Sequence, residues 1–289
     1  MKKVVIMGAS SGMGLKVAEI LASRKVHIGV AARNTKPLKE LKAKYPKYVE
    51  FEEIDVCKPD APLKLDKLIK SLGGMDIYFH SSGICYENLL LDPEKEAAII
   101  NTNSVGFARM LATAYRYFRT NHKKGHIAAI SSVAGTNGIG RLAAYSSSKK
   151  FAQTYITALD QLSHAEKAGI IFTDIRPGWV RTPLANPDVS YPMEMCVDYA
   201  AKEIIYAIAK RKRVWTFDAR WRALVAVWKK LPLSAWVRVN VPISFPDMEL
   251  PKPMTKKELL DSDKANAKLP VNPEGPIKEN AAVENNDKP

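Results

Sequence analysis

Val4-Val5-Ile6-Met7-Gly8-Ala9-Ser10-Ser11-Gly12-Met13-Gly14 is the stretch on which the fold turns. Four consecutive apolar residues suit a short strand buried on both faces. The glycines that follow permit a tight turn, and Val17, Ala18, Ile20 and Leu21 then recur at helical spacing. Strand, glycine turn and helix, in that order, form the setting in which a glycine-rich loop binds phosphate. The backbone can approach the anion closely, and the helix N-terminus aims free N–H groups and a positive dipole at it. The spacing here is Gly-x-x-x-Gly-x-Gly, a variant of the Gly-x-Gly-x-x-Gly found at many dinucleotide sites.

The same alternation continues outward. A second apolar run at 26–32 ends at Arg33-Asn34. An acidic residue at this point would hold the ribose 2′-hydroxyl of NAD, whereas an arginine accommodates a 2′-phosphate. Arg33 therefore points to NADP(H) ahead of NAD(H). A third run at 49–54 ends at Asp55-Val56. Asp55 has two readings, contact with the adenine or a cap for a helix beginning near Asp60. Further runs at 75–79, 126–130, 170–175 and 214–217 bring the count to seven strands. Right-handed crossovers through the intervening helices predict an α/β fold, a single Rossmann-type doubly wound parallel sheet of order 3-2-1-4-5-6-7 with helices on both faces. The cofactor would lie across the carboxyl ends of the strands. A chain of 289 residues, 46% of them hydrophobic, can bury one such core.

The chemistry is concentrated later, at Tyr145-Ser-Ser-Ser-Lys149, thirteen residues after Ser132. Residues four apart share one face of a helix, so the phenol and the ammonium can serve one site. A free tyrosine has a pKa near ~10 and is a poor acid or base at neutral pH. A fixed cation beside it would lower that value and equip it to exchange a proton with a carbonyl or alcohol oxygen. Ser132 could hold the same oxygen. The chain contains a second Tyr-x-x-x-Lys, Tyr206-Ala-Ile-Ala-Lys210, with Met193 thirteen residues upstream in place of the serine. That copy reads as part of an ordinary amphipathic helix with a packed tyrosine and a solvated lysine.

Taken together, the glycine loop, the Ser132…Tyr145…Lys149 spacing and Arg176-Pro177-Gly178-Trp179-Val180-Arg181-Thr182 resemble the short-chain dehydrogenase/reductase family. The resemblance covers about residues 1–217. It implies an enzyme transferring hydride between NADP(H) and a carbonyl or alcohol. It implies Ser132 as the residue orienting the substrate oxygen, Tyr145 as general acid/base, and Lys149 as binder of the nicotinamide ribose. Asn103 would kink its helix and anchor a relay water. The cofactor set it implies is Gly8, Ser10, Ser11, Gly12, Met13, Gly14, Arg33, Asp55, Val56, Ser82, Gly83, Tyr145, Lys149, Pro177, Gly178, Val180 and Thr182, with no metal. A homodimer or homotetramer is implied by the same analogy. The chain departs from the family where Asn-Asn-Ala-Gly is usual and it has His80-Ser81-Ser82-Gly83. His80 reads as a hydrogen-bonded structural residue. Met7 replaces a frequent threonine, and Ser11 stands where NADP-dependent members often carry a basic residue.

Two segments remain. Residues 218–250 form a C-terminal segment rich in tryptophan and basic residues, and 251–289 read as a flexible tail with seven lysines against seven acids. The formal net charge is +14. Between Lys210 and Arg238 lie nine Lys/Arg, one acid (Asp218) and four of the five tryptophans. Trp221, Leu224, Val225, Trp228 and Leu231 share a helical face, which suits a lid over a substrate pocket or peripheral contact with an anionic membrane through 210–238. The run is too charged for a transmembrane helix. Flexible Met193 and Met195 with Tyr191 suit a bulky, lipophilic small-molecule carbonyl, such as a long-chain 3-keto lipid of the 3-ketosphinganine type or a steroid-like ketone. Three scattered cysteines and a short N-terminal apolar run predict a cytoplasmic protein without signal peptide, peripheral to a membrane at most. Two rival classes are a non-catalytic nucleotide-binding or redox-sensing protein, which would not need the intact Ser-Tyr-Lys set, and a basic nucleic-acid binder, for which the chain offers charge but no recognition motif.

Overall fold

The computed structural model describes residues 2–239 and Val241, apart from 87, 89, 122–123 and 185–190. These belong to a unit spanning Met1–Met248. The tail expected at 251–289 lies outside the described residues, as does the end of the 218–250 segment.

Seven parallel strands form one sheet in the order β3-β2-β1-β4-β5-β6-β7. They are β1 (Lys3–Met7), β2 (His27–Ala32), β3 (Val49–Glu53), β4 (Ile77–His80), β5 (His126–Ile130), β6 (Ile171–Ile175) and β7 (Val214–Trp215). The order is the one expected from the alternation of apolar runs. Strand order reverses beside β1, where connections leave in opposite directions and open a crevice at the carboxyl ends.

The strands are apolar throughout because both faces are covered. Alternate residues serve opposite layers. Val4, Ile6, Ile28, Val30, Ile77 and Phe79 pack on one side with Val17, Ala18 and Ala22 of α1 (Gly12–Ser23) and Ala200, Ala201 and Ile204 of α7 (Val197–Ala209). Val5, Met7, Tyr78, Ile127 and Phe172 face the other side. There they meet α3 (Ala61–Leu72), α5 (Phe107–Thr120) and α6 (Ala143–Ala165) through Leu65, Leu68, Phe107, Met110, Ala152 and Ile156. The short α2 (Lys36–Lys44) buries Leu38 and Leu41 beneath the β2–β3 edge, and α4 (Pro93–Ile100) precedes α5.

Between α4 and α5 the chain makes a π-helical turn over Asn101–Gly106. Such turns insert one extra residue per turn and are frequent at functional sites. The turn carries Asn103, the residue expected to kink its helix.

The Trp-rich segment folds onto this domain. It forms α8 (Ala219–Trp228) and α9 (Leu233–Trp236). Trp221 and Val225 are buried in the same core as β1 and α1. The Asp218 carboxylate caps α8 by accepting from the Arg220 N–H at 2.9 Å. Among the described residues, no helix is long and apolar enough to cross a membrane.

Candidate active site

The glycine loop sits at the end of β1. Gly8 has φ +87°, and a Cβ there would fall 2.5 Å from the backbone N of Ser82, so only glycine lets the β1 and β4 ends close together. Behind the loop, α1 presents its N-terminus, with Gly14 in its first turn. The loop borders a cleft of about 330 Å³ along the carboxyl ends of the strands. Gly8, Ser10, Ser11, Gly12, Met13, Arg33, Asp55, Val56, Ser82, Gly83 and Thr182 line it. Thr182 reaches across the loop, its Cβ 3.3 Å from where a side chain on Gly12 would begin. The cleft also takes in Leu184, two residues after Thr182, and Asn34, Ser81, Ile84 and Thr102, which sequence reasoning did not single out. Each of those four adjoins a predicted position in the chain, and that adjacency was the available signal.

Besides Tyr145 and Lys149, four expected cofactor residues stand outside this lining. Gly14 is buried in α1 behind the loop. Val180 points into the core and bridges to Met195. Pro177 offers its carbonyl to Val133 N–H at 3.0 Å and to the Ser132 hydroxyl at 3.3 Å. Gly178 belongs to a second, apolar cavity.

Asp55 resolves between its two readings in part. Its Oδ1 accepts from the Cys57 N–H at 3.0 Å, closing a local turn rather than capping α3, while the residue faces the cleft. Arg33 is exposed at the rim, and among the described residues no carboxylate pairs with it.

The Tyr145/Lys149 pair lies in the first turns of α6. Its N-terminus has no cap of its own; Glu96 on α4 supplies one, its Oε2 accepting from Ala144 N–H at 3.0 Å. Gln153, one turn beyond Lys149, donates to the Ser132 carbonyl at 2.8 Å. Ser148 donates to the Tyr145 carbonyl at 2.7 Å and accepts from Asn103 Nδ2 at 3.2 Å. The remaining capacity of the Asn103 amide holds Ile84, with Nδ2 donating to its carbonyl at 2.8 Å and Oδ1 accepting from its N–H at 2.9 Å. Its side chain thus fastens the β4 loop to α6. Glu96, Gln153 and Ser148 were missed in the sequence because polar residues on helices carry no signal of their partners.

Tyr145 and Ser132 both line the apolar cavity. Lys149 is buried, its Nζ 5.5 Å from the Tyr145 ring centre and 3.3 Å from the Ile130 carbonyl, which it bonds. The same Nζ lies 3.5 Å from where a Cβ on Gly83 would sit, beside the nucleotide cleft. One turn of helix therefore joins the two spaces.

The electrostatics correct one expectation. Burial raises the Tyr145 phenol above its ordinary value, with the nearby Cys85 thiol adding to the rise, and only the Ser132 hydrogen bond lowers it. Burial also brings Lys149 down to about 8, against the opposing influence of Cys85 and Asp174. At about 8 the lysine remains charged at neutral pH, and the cost of burying that charge is what brings its own value down. Asp174, at the end of β6, is itself buried, accepts from Ser131 and pairs with Arg176 at 2.6 Å.

His80 is structural, as its position suggested. It is buried, with Nδ1 2.9 Å from the Tyr78 hydroxyl and its ring edge-on to Phe107 at 5.0 Å. Burial and the Lys149 charge push its pKa down to about 3, so it stays neutral.

The second cavity, about 340 Å³, contains the Ser132 and Tyr145 side chains and is otherwise mainly apolar. Ile139, Leu142, Trp179 and Met193 form its walls, and Trp221, Leu224, Trp228 and Trp236 come from the C-terminal segment. The Trp221 indole lies on Gly178, where a Cβ would fall 2.1 Å from the ring. Trp221 Nε1 donates to the Met193 carbonyl at 3.2 Å, and Trp236 Nε1 to the Gly138 carbonyl at 2.7 Å. Asn137 Nδ2 fastens the end of α8 through the Trp228 carbonyl at 3.1 Å. The segment walls the cavity on the side where a lid was expected. The second Tyr-x-x-x-Lys copy lies remote from this site, on α7, with Tyr206 packed on Trp215 at 5.5 Å.

A dinucleotide cleft, an apolar cavity and a Ser-Tyr-Lys set between them define a nicotinamide-dependent oxidoreductase. The short chain dehydrogenase family model matches residues 2–191. An uncharacterized oxidoreductase of Myxococcus xanthus is 32% identical over 203 residues, 68% of this chain and 79% of that protein. Dehydrogenase/reductase SDR family member 7B of Mus musculus is 28% identical over 63% of this chain and 58% of its own length. Among solved structures, an alcohol dehydrogenase from Thermococcus sibiricus complexed with 5-hydroxy-NADP superposes with a TM-score of 0.65 at 21% identity, covering 76% of this chain and 97% of that one. A single-substitution variant of actinorhodin polyketide ketoreductase with NADPH gives a TM-score of 0.65 at 21% identity, over 74% and 95%. The chain belongs to the short-chain dehydrogenase family and is an enzyme acting on CH–OH or carbonyl groups with a nicotinamide cofactor.

Proposed function

We propose that this protein is an NADP(H)-dependent reductase of a bulky, apolar ketone or aldehyde. The observation that carries this reading is the single helical turn of α6 that presents Tyr145 to the apolar cavity and Lys149 to the nucleotide cleft. The cleft suits a dinucleotide: a glycine loop against a helix N-terminus for the pyrophosphate, and Arg33 at the rim for a 2′-phosphate. Two relatives in fold hold NADP-type cofactors, which agrees with Arg33.

Tyr145 carries its proton at neutral pH, as an ordinary tyrosine does, and would exchange it with the substrate oxygen, as acid in reduction and as base in oxidation. A substrate carbonyl entering the cavity would accept from the Tyr145 hydroxyl, with Ser132 steadying the same oxygen. NADPH, when bound, would supply the hydride for the carbonyl carbon. Lys149, charged below about 8, stabilises the phenolate left behind and would hold the nicotinamide ribose from the cleft side. Trp221, Trp228 and Trp236 exclude water and favour an apolar substrate body, a long-chain 3-keto lipid or a steroid-like ketone among the candidates. The exposed Ile100, Val105, Phe151 and Leu162 on α4, the π turn and α6 favour a homo-oligomer through that face.

The test is NADPH oxidation across a panel of long-chain keto lipids, steroid ketones and small ketones, with Tyr145→Phe as control. We expect turnover of the apolar members, lost by about 10²–10⁴-fold in the variant while NADPH still binds. Retained turnover in Tyr145→Phe removes the tyrosine from the mechanism, and a preference for small polar ketones removes the apolar substrate.

A further inference from the structure

The lid has an outer face, and its composition differs from that of an ordinary solvated surface. Leu233 and Val237, one helical turn apart and so on one side of α9, are 76% and 69% exposed. Val227 at the end of α8 is 59% exposed. Between and beside them stand Lys229, Lys230 and Arg238, all exposed. No Asp or Glu occurs from 219 to 241. Among the described residues, none of these three cations pairs with a carboxylate.

We propose that this face docks on an anionic bilayer surface and that the cavity opens toward it. Large exposed aliphatic side chains flanked by unpaired cations match the two attractions of such a surface: burial of apolar area at the acyl boundary and attraction to the headgroup charge. Trp228 and Trp236 sit just inside, their rings edge-on at 5.4 Å. Val239 ties the outer face to the cavity, since it lines the cavity and is also exposed. The volume agrees. At about 340 Å³ the cavity is at the small end of ligand sites, ~300–1,000 Å³. It holds the reacting end of a long-chain ketone, and the chain would leave past Val239 into the membrane. This route rests on the cavity being the substrate site. The docking itself does not, because it is measured without turnover.

The experiment is flotation of the full-length protein with vesicles of phosphatidylcholine alone and of phosphatidylcholine with phosphatidylglycerol. The wild type should float with the anionic vesicles, and added salt should weaken the association. Leu233→Ser/Val237→Ser and Lys229→Glu/Lys230→Glu should each lower the bound fraction by about tenfold or more. Both double variants should keep wild-type turnover of a short water-soluble ketone and an unchanged sedimentation mass. Absence of binding to anionic vesicles overturns the proposal. Equal binding by the variants overturns it by placing the contact elsewhere in the chain. A changed sedimentation mass overturns it by assigning the face to a second copy of the chain.

Discussion

Arg33 shows how far a single side chain can be read. Its place at the end of the second strand was legible, because the apolar run 26–32 stops there and the position relative to the glycine loop is set by the β-α-β unit. The structure puts it on the rim of the cleft. An exposed arginine with no carboxylate partner among the described residues is available for a charge-assisted bond to a 2′-phosphate, worth about 1.5–3 kcal/mol. Arg33→Asp should therefore shift the ratio of kcat/KM for NADPH over NADH toward NADH by roughly 10–100-fold. An unchanged ratio sinks the 2′-phosphate role. Tyr145 is the opposite case. Its position was legible, but its acidity was not, because a pKa depends on burial, which a four-residue motif does not contain. The surroundings in this structure raise the phenol instead of lowering it, and the proposed role as general acid/base does not depend on that direction.

Among the elements, the strands were legible and the supports of α6 were not. Seven apolar runs between helical patterns fix the sheet because a parallel strand must be apolar on both faces. The bounds differ most at β4, which begins at Ile77, and at β7, which ends at Trp215, each two residues inside its expected run. Phe217 beyond it is buried in the core. The start of α6, by contrast, depends on a carboxylate from Glu96, forty-eight residues earlier. The lid depends on a similar distant match, Trp221 against Gly178. A tryptophan and a glycine far apart in the chain give no sign that one is shaped for the other. Gly178→Ala places a methyl within 2.1 Å of the indole and must lift the lid. Overpacking of this kind costs about 1–3 kcal/mol. We expect kcat/KM for apolar ketones to fall by about tenfold or more, with NADPH affinity nearly unchanged. If both parameters stay at wild-type values, the lid is not part of substrate binding.

The whole molecule carries the cost of its site as a dependence of stability on pH. Lys149 has a folded pKa of about 8, below its ordinary ~10.4. The unfolded chain then binds the extra proton between these values, so stability rises with pH across that window. Below about 8 the penalty for burying the charge is fully present. Lys149→Met should raise apo-protein stability at pH 7 by about 3 kcal/mol, a gain that disappears above pH ~10.4. Denaturant midpoints at pH 7 and pH 10.5 measure it, and an equal gain at both would refute the linkage. His80 and His126 act at the other end. Burial lowers them to about 3 and about 4, so the unfolded chain alone takes up these protons as pH falls below ~6.5, and stability declines. The tryptophans, finally, have a use beyond packing. Trp179, Trp221, Trp228 and Trp236 wall one cavity, next to the cleft that suits a nicotinamide, while Trp215 stands apart on β7. Indole emission overlaps the absorption of a reduced nicotinamide ring. The protein thus contains its own fluorescent antenna, in which energy transfer reports cofactor loading and lid position with no dye attached.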